Sequence, residues 1–151
     1  MAQSIKYQTP RIIAEIGCNH MGRLDIAKEL ILKAKNCGAD YAKFQKRNPK
    51  ELLTPEQAAA AHPVPYNSYG STYGEHREYL ELSIDQHREL KEYCEEVGIG
   101  YSSSVWDVTS ATEIISLNPE FIKVGSPSNM HWDMLKILRD EYQGDVHIST
   151  G

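Results

Sequence analysis

YAKFQK, residues 41–46, reads as a buried strand, with Tyr41, Ala42 and Phe44 apolar, yet Lys43 interrupts it. Burying an ammonium without a partner costs several kcal/mol. The pattern recurs in FIKVGS, residues 121–126, where Lys123 sits inside a short apolar run. Two such lysines call for a single explanation, and the segments around them supply the frame for it.

Upstream, RIIAEIG (11–17) reads as a strand followed by a turn at CNHMG. LDIAKELILKAKNCG then sets Leu24, Ala27, Leu30, Ile31 and Ala34 on one stripe at helical spacing, with Gly38 as a C-terminal stop. YAKFQ is the second strand. Residues 46–83 form a long Pro-, Asn- and Tyr-rich excursion with one short helix expected at PEQAAAA, whose alanines 58–61 read as helical surface. Ser83 and Gln86 resemble a capping box that opens a helix through Val97, with Ile84, His87, Leu90, Cys94 and Val97 inward. Then follow a strand at 99–104, a helix around 110–117, a strand at 121–124, a helix around 132–142 and a strand at 145–149. Strands alternating with helices predict an α/β fold with a parallel sheet and right-handed crossovers.

Composition narrows the function classes. The chain has 151 residues, 40% hydrophobic and 25% charged, which suits one globular domain. A formal net charge of −5 with scattered basic residues gives no footprint for nucleic acid or a membrane surface, so neither partner is expected. Cys18, Cys37 and Cys94 are widely spaced, and MAQSIKYQTPR lacks an apolar signal region. A cytoplasmic location with reduced thiols is the expectation.

Side chains alternate along a strand, so parity sorts them into two faces. Ile12, Ala14 and Ile16 share one face, and Ile13, Glu15 and Gly17 the other; Tyr41, Lys43 and Gln45, Phe121 and Lys123, and His147 with Ser149 fall on that second face. One face is apolar, to be covered by helices. The other turns polar near the strands' C-terminal ends, where α/β enzymes build their sites. Glu15, Lys43, Lys123, Ser104, Ser126 and Ser149 converge there, a net cationic cavity suited to a small substrate with more than one anionic group. The counter-ion missing from the lysines is then the ligand, or else each lysine pairs with a carboxylate such as Glu15.

AEIGCNHMG (14–22), GADYAKFQK (38–46), TYGEHREYLELS (72–83), FIKVGS (121–126) and ISTG (148–151), in this order and spacing, resemble the N-terminal barrel of the sialic acid synthase (N-acetylneuraminate synthase) family. The resemblance implies a TIM (β/α)8 barrel of which residues 1–151 hold roughly the first five βα units. It implies condensation of phosphoenolpyruvate with N-acetylmannosamine or a related 2-acylamino sugar, 6-phosphorylated or not, to a nine-carbon 2-keto acid and phosphate.

By the same resemblance, Lys43 and Lys123 hold the phosphate and carboxylate of phosphoenolpyruvate with the hydroxyls of Ser104, Ser126 and Ser149. Glu15 is the acid near the reacting carbons, Gln45 faces the sugar, and Trp106 stands beside its N-acyl group. A divalent metal, Mn2+ or Mg2+, polarises the sugar aldehyde, its ligands expected beyond residue 151. The full-length protein is expected to be a homodimer with a C-terminal antifreeze-like domain.

The chain departs from the family pattern in Pro127, Ser128, Asn129 and Met130 after FIKVGS, and in SSSVWD at 102–107. Lys46 and Arg47 occupy a stretch that is basic in the animal branch using a 6-phosphorylated sugar; a solvated charge pair is the reading taken here. The histidines sit in no ligand motif: His20 belongs to a turn, His76 and His87 read as solvated or helical, and His147 can point inward. A full barrel takes about 250 residues, so the chain reads as a fragment of a synthase. A Schiff-base aldolase using Lys43 or Lys123 and a five-stranded flavodoxin-like binding module stand as alternatives.

Overall fold

In a computed structural model, residues 9–151 are described. Five strands, β1 (Ile13–Gly17), β2 (Tyr41–Lys46), β3 (Gly100–Val105), β4 (Phe121–Val124) and β5 (Asp145–Ile148), pair in parallel in the order β1-β2-β3-β4-β5. The helices are α1 (Leu24–Asn36), α2 (Pro49–Leu52), α3 (Pro55–Ala59), α4 (Tyr73–Leu80), α5 (Ile84–Val97), α6 (Val108–Ser116) and α7 (Trp132–Glu141).

The strand order decides between two of the expectations. A flavodoxin-like sheet runs 2-1-3-4-5, reversing direction once and so carrying helices on both faces. Here the chain steps to the next strand every time, and crossovers of one hand then place every crossover helix on the same face. The core bears this out: Ala27 and Ile31 of α1, Leu90 and Cys94 of α5, Ala111 and Ile114 of α6 and Met134 and Leu138 of α7 all pack with Ile16, Ala42, Phe44, Tyr101, Ile122 and Val124 of the strands. The flavodoxin-like module is therefore ruled out.

Local signals explain the helix ends. Ser83 and Gln86 form the expected reciprocal capping box at α5, worth about 1 kcal/mol. The excursion is more ordered than the single short helix expected of it, because Thr54 with Gln57 and Thr72 with Glu75 form two further boxes that start α3 and α4. The helix at PEQAAAA ends at Ala59, so only part of the alanine run is helical.

The second strand face carries Tyr41, Lys43 and Gln45, which stand in register with Gly100, Ser102 and Ser104 of β3, while Ser104 and His147 flank Lys123. A layer of rings lies toward the strands' N-terminal ends: Tyr41 meets Phe121 edge-on at 5.1 Å, and Phe121 stacks on His147 at 4.5 Å. The phenol of Tyr41 donates to Glu120 and accepts from Arg11. Above this floor the face turns polar.

Candidate active site

Lys43 is 5% exposed. It is not left without a counter-ion: its Nζ donates to Glu15 Oε2 on the adjoining strand and to Ser104 Oγ at 3.2 Å. The carboxylate alternative raised by the sequence thus holds for Lys43. Lys123, half-buried two strands further on β4, makes no ion pair among the described residues, so one of the two ammonium groups is open to an anion.

Gly17 shapes the same corner. It ends β1 at a register shift with φ of +56°, and a Cβ there would come within 3.2 Å of Gln45 Nε2 and 3.5 Å of Glu15 Oε1. A side chain at this position would be strained and would crowd the Gln45 amide. Gln45 is half-buried and its Oε1 accepts from the Cys18 thiol at 3.8 Å. Burial pushes that thiol's pKa up, against the opposing charge of Arg47.

Past the ends of β3, β4 and β5 the chain turns over the site. Trp106 follows β3; its carbonyl accepts from Ser128 Oγ at 2.9 Å, and its buried indole N–H has no acceptor among the described residues. Ser126 opens the 3-10 turn Ser126–Ser128 after β4. Ser149, after β5, donates its backbone N–H to Val124 and accepts at its carbonyl from Asn129 Nδ2 at 3.1 Å. Glu15, Lys43, Gln45, Ser104 and Lys123 thus share one sheet face, with Trp106, Ser126 and Ser149 at the C-terminal ends of its strands. Ser102 lies on the same face but its hydroxyl is already committed to Phe121 O at 2.8 Å.

Lys46 and Arg47 are not solvated. They are 8% and 7% exposed. Lys46 has the parity of Ala42 and Phe44, so its ammonium runs out through the helix face to Glu113 of α6 at 3.0 Å. Arg47 Nε donates to Glu81 Oε1 at 2.8 Å while its backbone N–H donates to Oε2 at 3.1 Å, and the guanidinium lies 5.8 Å from the centre of the Trp106 ring. Glu81 and Arg77, both from the excursion, went unnoticed as site neighbours in the sequence.

His87 faces inward as its place on the α5 stripe implies, and His20 and His76 are buried as well. His87 is fully enclosed, with Nδ1 bonded to Tyr101 OH at 2.7 Å, and His76 accepts from the backbone N–H of Tyr69 at 3.2 Å. His20 is buried in its turn, accepting from Gly22 N–H at 3.1 Å. Burial depresses the pKa of all three, that of His87 to about 3. Among the described residues no group of three His, Cys, Asp or Glu side chains converges as a metal site requires. No helix among them is long and apolar enough to cross a membrane.

A family profile described as the NeuB family matches residues 30–151. Human N-acetylneuraminate-9-phosphate synthase is 46% identical over 125 residues, covering 83% of this chain and 34% of the human protein. N,N'-diacetyllegionaminic acid synthase of Legionella pneumophila is 37% identical over 115 residues, covering 76% of this chain and 32% of that protein. The chain thus spans about a third of the length of the curated relatives it matches. Among solved structures, the N-acetylneuraminic acid (sialic acid) synthetase of Leptospira borgpetersenii superposes with a TM-score of 0.75 at 24% identity, over 95% of this chain and 45% of that one. That last likeness is one of fold.

Proposed function

The chain belongs to the NeuB family, and we propose that it supplies the first four βα units and the fifth strand of a (β/α)8 synthase making a nonulosonic acid from phosphoenolpyruvate and a 2-acylamino sugar. The observation that carries this reading is the shared face of Glu15, Lys43, Ser104 and Lys123 at the strands' C-terminal ends. Two ammonium groups and a single carboxylate leave that face cationic. The 46% identity to a 9-phosphate synthase favours a 6-phosphorylated acceptor, since a three-carbon unit added at C1 of a hexose turns its C6 into C9.

In the proposed reaction, C3 of phosphoenolpyruvate attacks the aldehyde carbon of the open-chain sugar and the new C–C bond leaves a cation at C2. Water adds there, and the tetrahedral adduct expels phosphate with cleavage of the C–O bond. Lys123 and Lys43 hold the carboxylate and phosphate, with Ser104, Ser126 and Ser149 donating to their oxygens. A dianion arriving at Lys43 competes with Glu15, and the carboxylate released is then free beside the reacting carbons to orient water and take its proton. Gln45 and Trp106 line the sugar side. The divalent metal implied by the family resemblance finds no ligand cluster among the described residues, so its ligands are assigned to barrel segments outside this chain and no step here runs through it. The homodimer belongs to the same proposal.

The test is phosphate release by the full-length protein with phosphoenolpyruvate, Mn2+ and a panel of 2-acylamino sugars. Phosphoenolpyruvate carrying 18O in its bridging oxygen should deliver the label to phosphate; label retained in the keto acid would refute C–O cleavage. Borohydride trapping of substrate on Lys43 or Lys123 would instead establish the Schiff-base aldolase.

A further inference from the structure

A cavity of about 330 Å³ is walled in part by Arg47, Tyr73, Arg77, Trp106, Pro127 and Ser128. Arg47, Trp106 and Pro127 follow the C-terminal ends of β2, β3 and β4, so the cavity lies on the same side of the sheet ends as Gln45 and Ser126. No carboxylate is among its lining residues, while two guanidinium groups are. Arg47 is already committed to Glu81. Arg77, half-buried on α4, makes no ion pair among the described residues and only lies over the Tyr73 ring, 6.0 Å from its centre.

An acid-free cavity with a free guanidinium, a second one behind it and aromatic walls is built for an oxyanion attached to a small organic body. The spacing suits one end of an extended substrate. Arg47 follows β2 four residues beyond Lys43, about 13 Å of extended backbone, so the cavity is assigned to the far end of the acceptor rather than to the phosphoenolpyruvate held at Lys43 and Lys123.

We propose that this cavity binds the terminal phosphate of the acceptor sugar, with Arg77 as its principal cation and Arg47, braced by Glu81, as the second. The inference rests on the synthase reading for the identity of the sugar. On this assignment the aldehyde end of the acceptor faces Glu15 and Gln45, and the phosphate sets how deep it enters. Selectivity for a phosphorylated acceptor then resides in α4, an element of the excursion between β2 and β3.

Binding and turnover test the two claims separately. N-acetylmannosamine 6-phosphate is titrated calorimetrically into the full-length protein as wild type, Arg77→Gln and Arg77→Lys, and phosphate release is followed with the phosphorylated and unphosphorylated sugars. Loss of one charge-assisted contact should weaken binding of the sugar phosphate, and raise its KM, about 10- to 100-fold in Arg77→Gln. Arg77→Lys, which keeps the charge without the fork, should fall between. The KM for phosphoenolpyruvate should not follow. Equal affinity of wild type and Arg77→Gln for the sugar phosphate overturns the assignment, as does an equal loss for both sugars or a matching rise in the KM for phosphoenolpyruvate. If the wild type turns over no sugar at all, the synthase reading fails, and the calorimetric comparison still decides the cavity.

Discussion

Lys43 on β2 and Glu15 on β1 stand opposite each other in register, the ammonium donating to the carboxylate, with side chains 6% and 51% exposed respectively. The pair is lopsided: water reaches one charge and not the other. Removing the carboxylate leaves a buried ammonium with only the Ser104 hydroxyl, whereas removing the ammonium leaves a carboxylate that water can hydrate. Glu15→Gln should therefore destabilise the fold by about 1–3 kcal/mol, and Lys43→Met by less than about 1 kcal/mol. Urea denaturation of the two variants measures the order; Lys43→Met as the costlier change would contradict it.

Lys123 differs in having no carboxylate partner among the described residues, so its charge contributes nothing to stability through an ion pair with them. Lys123→Met should keep the urea midpoint of the wild type or raise it. Under the proposed function the same change removes a charge-assisted contact to phosphoenolpyruvate, and kcat/KM for that substrate should drop about 10- to 100-fold. A variant with both full stability and full activity would remove Lys123 from the site.

These two lysines also mark how far the sequence could be read. Strand parity is a period-two property of local sequence, so it placed Glu15, Lys43, Gln45, Ser104 and Lys123 on one face correctly. Register is not local. Whether Glu15 reaches Lys43 depends on how β1 slides along β2, and the pairing of Ile13 with Tyr41 and Ala14 with Ala42 is what brings Glu15 opposite Lys43. Lys46 and Arg47 look solvated in sequence because their partners, Glu113 and Glu81, arrive from α6 and from the excursion. The helix α4 was missed since Tyr, Gly and His are poor helix formers. Its Thr72–Glu75 box was the available signal, the same motif that revealed α5.

Gly100 opens β3 directly opposite Tyr41, and a Cβ built there would lie 2.3 and 2.4 Å from two carbons of the Tyr41 ring. The ring cannot step aside, being wedged on Phe121 and held at its hydroxyl by Arg11 and Glu120. Gly100→Ala should cost about 1–3 kcal/mol through overpacking, although alanine is otherwise the better strand residue. In a Tyr41→Ala background the same substitution should cost little. A thermal-melt double-mutant cycle reads the coupling, and additive effects would place the clash elsewhere.

His87 gives the pH dependence its sign. Burial first, then the charges of Lys46 and His20, hold its folded pKa at about 3, far below the ordinary value of about 6.5 that it regains on unfolding. Between those limits the unfolded chain carries a proton that the folded protein refuses, so stability falls as the pH drops below about 6.5, by at most about 1.4 kcal/mol per pH unit. His20 and His76, also depressed by burial, act in the same direction. Ordinary carboxylates titrate below about pH 5, so the interval from pH 6.5 to 5 isolates the histidines. Over that interval the wild type should lose about 1–2 kcal/mol for His87 alone. His87→Gln, which retains a polar group facing the Tyr101 hydroxyl but cannot titrate, should show a visibly shallower fall when urea midpoints are compared at pH 7.5, 6.5, 5.5 and 5. Parallel curves for the two proteins would mean that His87 takes up its proton in the folded state, and that the packing of Phe44 and Tyr101 around it opens enough to admit the charge.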